Sequence, residues 1–238
     1  MMGRVSCGVS GWAYAKWKPD FYPPKLASAK FLGYYSSRLN SVEVNYTFRS
    51  FPTEKLLGNW IAATPPDFKF AIKAHQSITH IKRLKNVAEA TAKFIASLKP
   101  LQEANKLGPV LFQLPPNLKF DLKLLQDFLA ELPDKPRCTI EFRNASWFVE
   151  DVFAALTKRN VALCLAESDD LVTPDKRTAD FCYLRLRKDG YSANDRNAIA
   201  HRVRSLAKHG EVFAYYKHFD APECPLQAEE LFSATKSA

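Results

Sequence analysis

The sequence predicts an α/β fold, a single (β/α)8 barrel of the TIM type occupying residues 1–238. Three observations carry that expectation. Short apolar runs recur eight times, at residues 4–8, 41–44, 68–73, 110–114, 138–142, 161–166, 181–186 and 212–216. Most are followed by a segment with helical spacing of apolar residues, and strands alternating with helical crossovers make a parallel sheet. The length also fits: 238 residues, with no Gly/Ser linker, low-complexity tract or short repeat, suit one barrel better than two domains.

The elements follow in order. After the first run, Ser28 is placed to cap a helix whose Phe31, Leu32, Tyr35 and Leu39 share a face. Thr53 precedes Leu56, Leu57, Trp60 and Ile61, and Pro65-Pro66 stops that helix. Asn86 opens a long helix carrying Phe94, Ile95 and Leu98, which Pro100 kinks or ends. Asp121 caps a helix with Leu124, Leu125, Phe128 and Leu129, and Ser146 one with Val149, Val152, Phe153 and Leu156. Residues 167–179 are polar, contain Pro174 and have no apolar period, so helix six is expected to be short or missing. Asp195 opens a helix with Ile199, Val203 and Leu206, and the last helix carries Leu226, Leu231 and Phe232.

Composition narrows the class. A hydrophobic fraction of 47% with 13% aromatics can fill a large core. No apolar stretch is long enough to span a bilayer, and the first eight residues lack the apolar centre of a leader, so a cytoplasmic location without membrane contact is expected. The five cysteines have no CxxC spacing and four of them, Cys7, Cys138, Cys164 and Cys182, sit inside strands, where a thiol behaves as a small hydrophobe. No metal site and no cofactor is expected, since GxGxxG, Walker, HExxH and GxSxG motifs are all missing. His75 and His80 lie five apart, not at the i, i+4 spacing of a helical metal pair, and His201, His209 and His218 read as surface or helix residues. The net charge of +9 is uneven: residues 67–106 hold eight Lys/Arg against three Asp/Glu, and residues 176–217 ten against four. Units three and seven face each other across an eight-unit barrel, so these are read either as two basic walls that attract anions or as ordinary solvated helix faces.

Strand parity selects the candidate site. Alternate strand residues face the helices and the lumen. Val5, Cys7 and Val9 facing the helices leave Ser6, Gly8 and Ser10 inward; Val42 and Val44 leave Glu43 and Asn45. By the same rule Lys73, Glu141, Arg143, Tyr183, Arg185 and Arg187 face the lumen, and Gln113 follows. The charged ones fall late in their strands, at the face where barrels carry their chemistry. An isolated buried charge costs several kcal/mol, so these groups must pair or be solvated by a pocket. Glu141 is the candidate general acid or base and Glu43 a second carboxylate, as in enzymes that work with two. Lys73 is a catalytic candidate as nucleophile, phosphate ligand or partner of a glutamate, and Arg143 and Arg185 suit an anion bidentately. The plain alternative for all five is an ion network that holds the barrel shut. Trp12, Tyr14 and Trp147 follow strands one and five and are candidates to stack on a ligand, although aromatics pack loops as often.

Several segments together are similar to a known family. Residues 8–17 (GVSGWAYAKW), 42–48 (VEVNYTF), 70–80 (FAIKAHQSITH), 107–116 (LGPVLFQLPP), 141–148 (EFRNASWF) and 178–186 (TADFCYLRL) resemble the YecE-like family, domain of unknown function seventy-two. The resemblance runs in order from about Val5 to Phe232 and implies a TIM barrel with no established activity. Its motifs fall on Gly11, Trp12, Tyr14, Glu43, Asn45, Thr47, Phe48, Lys73, Thr79, His80, Gln113, Pro115, Glu141, Arg143, Ser146, Trp147 and Arg185. This chain departs from the pattern at Arg49, where the family usually has Tyr, at Arg187-Lys188 in place of His-Gly, and at residues 216–219 in place of an asparagine-rich strand end. The likeness of such barrels to endonuclease IV is at the level of fold; those enzymes need a His and carboxylate metal cluster, which the sequence does not display.

The expectation is therefore an enzyme acting on an anionic, phosphorylated or similar, small substrate at the mouth. Glu141, Glu43 and Lys73 are its catalytic candidates, and Trp12, Tyr14, Asn45, His80, Gln113, Arg143, Trp147 and Arg185 its substrate-binding ones. The alternative is a non-catalytic barrel that binds nucleic acid or nucleotides through the basic walls and mouth aromatics. The sequence leaves the oligomeric state open.

Overall fold

A computed structural model describes residues 3–168, 171–188, 190–217 and 222–236; His218 and Phe219 lie outside them. Eight parallel strands form one nearly closed barrel: β1 (Val5–Val9), β2 (Ser41–Val44), β3 (Lys69–Lys73), β4 (Leu107–Gln113), β5 (Cys138–Glu141), β6 (Ala162–Glu167), β7 (Phe181–Leu186) and β8 (Glu211–Tyr216). They pair in the order β1-β8-β7-β6-β5-β4-β3-β2. The helices between them are α1 (Phe31–Arg38), α2 (Glu54–Ala62), α3 (Ala88–Ser97), α4 (Lys99–Glu103), α5 (Leu122–Glu131), α6 (Glu150–Lys158), α7 (Ala193–Ala207) and α8 (Glu223–Lys236).

The seam between β1 and β2 is closed mainly by side chains. One bridge joins Ser10 to Glu43, and Gly11 N–H donates to the Glu43 carbonyl at 2.9 Å. Lower down, the Tyr35 hydroxyl accepts from Val9 N–H at 2.9 Å and donates to the Ser41 carbonyl at 2.9 Å. Asn40 does the same one step below, accepting from Cys7 N–H and donating to the Val5 carbonyl, each at 2.8 Å. Two polar side chains thus take the place of the missing ladder, as buried backbone groups require. Glycine at position 8 makes the approach possible, because a Cβ there would lie 2.0 Å from the Ser41 carbonyl oxygen.

Two cores result from strand parity. Outward-facing strand residues such as Val42, Ile72 and Phe112 share one core with helix residues such as Phe94 of α3, Phe128 of α5 and Val203 of α7, all buried. The inward parity fills the lumen with Leu111, Cys164, Phe181, Tyr183, Phe213 and Tyr215. All five cysteines are buried and free.

Helix caps separate into those placed as expected and those displaced. Thr53 and Asp121 accept from the backbone N–H of Leu56 and Leu124. Ser146 does not cap α6; its hydroxyl accepts from Phe120 N–H at 2.9 Å, while Asn144 caps the short turn at Ala145–Trp147. Asp195 is the third residue of α7 and forms a capping box with Ser192. Asn86 sits at φ 52°, a left-handed position suited to asparagine, and α3 starts two residues later. Ser28 lies in a 3₁₀ turn before α1. Pro100 falls in the first turn of α4 and splits the expected long helix into α3 and α4. No helix joins β6 to β7 among the described residues; the chain folds back through a Glu167–Val172 bridge, and Thr178 ties it to β6 by accepting from Leu163 N–H at 2.7 Å and donating to Val161 O at 2.8 Å.

Candidate functional site at the barrel mouth

Above the apolar lumen, the C-terminal ends of β1–β5 and β7 deliver one connected polar cluster. Arg185, fully buried, stands at its centre. One guanidinium nitrogen donates to Glu43 Oε1 at 2.8 Å and another makes a short bond to Glu141 Oε2, so one cation bridges both carboxylates. Glu43 also accepts from Ser10 Oγ at 2.6 Å, from Tyr183 Oη at 2.7 Å and more loosely from Asn45 Nδ2 at 3.4 Å. Glu141 accepts from Gln113 Nε2 at 2.9 Å and from Arg187 at 2.8 Å, with Arg143 Nε 3.9 Å away. Lys73 Nζ completes the chain by donating to Gln113 Oε1 at 2.8 Å, and it lies 4.0 Å over the Phe48 ring.

Local structure explains these placements. Gln113 and Glu141 are register partners on β4 and β5, so their side chains leave the sheet together on the lumen side. Tyr183 and Arg185 are two apart on β7, which puts a phenol one layer below the guanidinium and within reach of the same carboxylate. Thr47 donates to the Lys73 carbonyl at 2.7 Å and thereby fastens the turn carrying Phe48 over the lysine.

Electrostatics follow from burial and neighbours. Burial alone would raise both carboxyl groups; Arg185 overturns it, helped at Glu43 by Ser10 and Tyr183 and at Glu141 by Arg187 and Gln113. Glu43 is held below the usual carboxylate range and Glu141 at about 2. Both are therefore anions at neutral pH. The cations move the other way: burial, then the charge of Arg185, pulls Lys73 down to about 8 and Lys217, just past β8, down to about 7. Burial, then Lys73 and Arg143, lowers His80, whose ring meets Phe48 edge-on at 4.8 Å and whose Nδ1 bonds the Thr79 hydroxyl at 2.9 Å.

The structure brings together Glu43, Asn45, Lys73, Gln113, Glu141, Arg143 and Arg185, with His80 beside them. Glu141, expected as a general acid or base, is held below the usual carboxylate range and has both oxygens occupied by Arg185, Arg187 and Gln113. One expected role changes. Trp147, expected to stack on a ligand, has no exposed surface; it stacks on Phe142 at 4.8 Å and donates to the Leu118 carbonyl at 2.7 Å, so it is a pillar of the loops. Trp12 and Tyr14 stand apart from the ions. With Asn45, Tyr46, Leu56 and Trp60 they line a cleft of about 420 Å³ on the rim. The two basic stretches divide between the two ends of the barrel, with Lys73 of the first and Arg185, Arg187 and Lys217 of the second at the mouth. Lys106 donates to Ile61 O at 2.8 Å and Thr64 O at 2.7 Å, Lys69 to Asn105, and Arg177 to Asp180 O at 3.1 Å, all at the opposite end of the barrel.

Tyr183, Arg187 and Lys217 join the site although none was among the candidate site residues. Parity places Tyr183 and Arg187 in the lumen with Arg185, and Lys217 falls in the strand end that departs from the family pattern. Among the described residues, no group of three or more His, Cys, Asp or Glu is placed to hold a metal ion, and no helix is long and apolar enough to cross a membrane.

With this geometry in view, comparison places the chain among known proteins. It belongs to the family described as protein of unknown function DUF72, whose model matches residues 6–238. It is 36% identical over 151 residues to the UPF0759 protein YunF of Bacillus subtilis, covering 60% of this chain and 52% of that protein. It is 27% identical over 147 residues to the UPF0759 protein YecE of Escherichia coli strain K12, covering 61% and 51%. The chain thus matches about half the length of these curated relatives. It superposes on a DUF72 family protein from Thermotoga maritima with a TM-score of 0.87, 24% identity, and coverage of 98% and 99%, a likeness of fold.

Proposed function

We propose that the protein is an enzyme that binds a small anionic substrate at the barrel mouth and uses Lys73 as its proton-transfer group. One observation carries the reading: five cationic side chains, Lys73, Arg143, Arg185, Arg187 and Lys217, surround two carboxylates, Glu43 and Glu141. With both lysines protonated their charges leave an excess of +3, which falls toward +1 as Lys217 and Lys73 lose their protons, and an excess of one sign at the mouth of a low-dielectric cavity draws in the opposite charge. A phosphate or carboxylate group supplies it. Lys73 suits proton transfer because a group that titrates near 8 exists in both forms close to neutral pH. Glu43 and Glu141 act in this reading as positioning residues, which hold Arg185 and Arg187 in place. The nucleic-acid alternative is less favoured, since Lys69, Lys106 and Arg177 point to the other end of the barrel and do not extend the mouth cations into a track.

Sulfate titration by calorimetry tests the binding half, because sulfate keeps its charge across the working range. Wild-type affinity is expected to fall between pH 6 and pH 9 as Lys217 and then Lys73 lose their protons. In Lys73→Met the fall above pH 7.5 should vanish and affinity at pH 6.5 should drop. No sulfate binding at pH 6.5, or a Lys73→Met variant that binds as the wild type does, contradicts the reading.

A further inference from the structure

The cleft beside the ion cluster is built differently from it. Its walls are Trp12, Tyr14, Leu56 and Trp60, with Tyr46 more than half exposed at its lip. Its volume of about 420 Å³ lies within the range of small-molecule sites, roughly 300–1,000 Å³. The aromatic walls are fixed in place by packing. Trp12 meets Trp60 edge-to-face at 5.3 Å, and Trp60 stacks on Phe70 at 5.6 Å. Tyr14 folds back on its own loop and donates to the Ser10 carbonyl at 3.1 Å, an arrangement for which Gly11, at φ 96°, leaves space: a Cβ there would come within 2.9 Å of the tyrosine hydroxyl.

Cleft and ion cluster share residues. Ser10 holds Tyr14 with its carbonyl and Glu43 with its hydroxyl. Asn45 lines the cleft and reaches Glu43 at 3.4 Å. The turn Tyr46–Phe48 places Tyr46 on the cleft and, two residues on, Phe48 against Lys73 Nζ at 4.0 Å. One short turn joins the apolar cleft to the lysine at the cationic mouth.

We propose that the cleft takes an aromatic ring joined to the anion held by the mouth cations, so that the ligand is a ring-bearing phosphate of the nucleoside-monophosphate kind, ring beside Trp12 and Tyr46 and phosphate toward Lys73. This rests on the anion-binding reading above and adds the second half of the molecule. Charge complementarity selects the anionic end, and the aromatic side chains lining the cleft select the ring, since every base or arene has a face to stack. The cleft offers few polar groups apart from Asn45, so ring recognition is by shape and stacking more than by a hydrogen-bond code.

Calorimetry at pH 6.5 with adenosine 5′-monophosphate, phenyl phosphate, adenosine and inorganic phosphate tests it. Adenosine 5′-monophosphate is expected to bind at least tenfold more tightly than inorganic phosphate, with adenosine weaker than either. Tyr46→Ala, at an exposed ring, should fold as the wild type does by circular dichroism. It should weaken adenosine 5′-monophosphate by roughly 5- to 100-fold, as loss of a stacking ring does, and leave inorganic phosphate unchanged. Trp12→Phe should act in the same direction and less strongly. Phenyl phosphate binding as well as the nucleotide assigns the slot to a simple arene; much weaker binding assigns it to a base. Equal affinity for the nucleotide and inorganic phosphate in the wild type, or a Tyr46→Ala variant unaltered for both ring-bearing phosphates, overturns the cleft assignment while leaving the anion site standing. Failure of inorganic phosphate itself to bind overturns both.

Discussion

Replacing Arg185 by methionine removes the one cation that Glu43 and Glu141 share and keeps most of the side-chain volume. In the wild type the guanidinium and both carboxylates are buried together. Glu141 would retain Arg187 at 2.8 Å and Gln113 at 2.9 Å, but Glu43 would keep only the hydroxyls of Ser10 and Tyr183 and the distant Asn45 amide. Leaving a buried charge without its partner costs roughly 3–5 kcal/mol. The sign with pH is the sharper test. In the wild type both folded-state values lie below the unfolded one, so their contribution is present above pH 4.5 and is lost as the pH falls toward 2. In Arg185→Met burial dominates Glu43 and raises its folded-state value, so the buried acid is tolerated below pH 4.5 and costs increasingly as the pH rises. Urea unfolding followed by circular dichroism at pH 4, 6 and 8 should therefore show the variant about 3–5 kcal/mol less stable at pH 8 and the gap narrowing by pH 4. A gap below about 1 kcal/mol at pH 8, the size of an exposed pair, or one that stays constant with pH, refutes the reasoning.

Other parts of the structure make separate predictions. Tyr35→Phe deletes the hydroxyl that joins Val9 to Ser41 across the β1–β2 seam; it should cost roughly 1–3 kcal/mol and speed hydrogen exchange at the Val9 amide. Gly8→Ala puts a Cβ 2.0 Å from the Ser41 carbonyl oxygen, so the seam must open, and a melting temperature near that of the wild type would contradict the close approach. Trp147→Ala should destabilise by roughly 3–5 kcal/mol, as emptying a buried aromatic site does. Trp147→Phe should leave sulfate and nucleotide affinity unchanged, whereas a large loss of affinity in that variant would restore Trp147 to the binding surface.

Much of this architecture is legible in the residues themselves. Period-two alternation in β1, β2, β3, β5 and β7 decides which side chains enter the lumen, and a charge facing the lumen near a strand's C-terminal end has few places to go except a shared cluster. That logic reaches Glu43, Lys73, Gln113, Glu141 and Arg185. It does not reach Trp147, because whether a tryptophan after a strand faces solvent depends on where Leu118, Phe120 and Phe142 pack, and these come from other segments. Nor does it reach the protonation state of Glu141, which is set by three partners on β4 and β7 and the chain just beyond. The two basic stretches are only partly informative for a related reason. Net charge over forty residues adds lysines at strand ends to lysines on helices and at the far end of the barrel, and Lys106 and Lys73 count alike although they lie at opposite ends. Helix caps shift because a capping hydroxyl competes among nearby amides: Ser146 bonds Phe120 N–H, leaving α6 to begin without a side-chain cap.

The central claim is that the excess positive charge above Arg185 is an anion site. Crystals soaked in tungstate and measured at the tungsten edge locate such a site directly, since the anion scatters anomalously and has the shape of a phosphate. The account predicts a peak at the mouth within hydrogen-bond reach of Lys73 Nζ, with Arg143, Arg187 or Lys217 as its other partners, and its loss in Lys73→Met crystals. Peaks confined to the outer helices or the far end of the barrel, with the mouth empty and its ion pairs intact, would show that the cluster holds the barrel together and binds nothing.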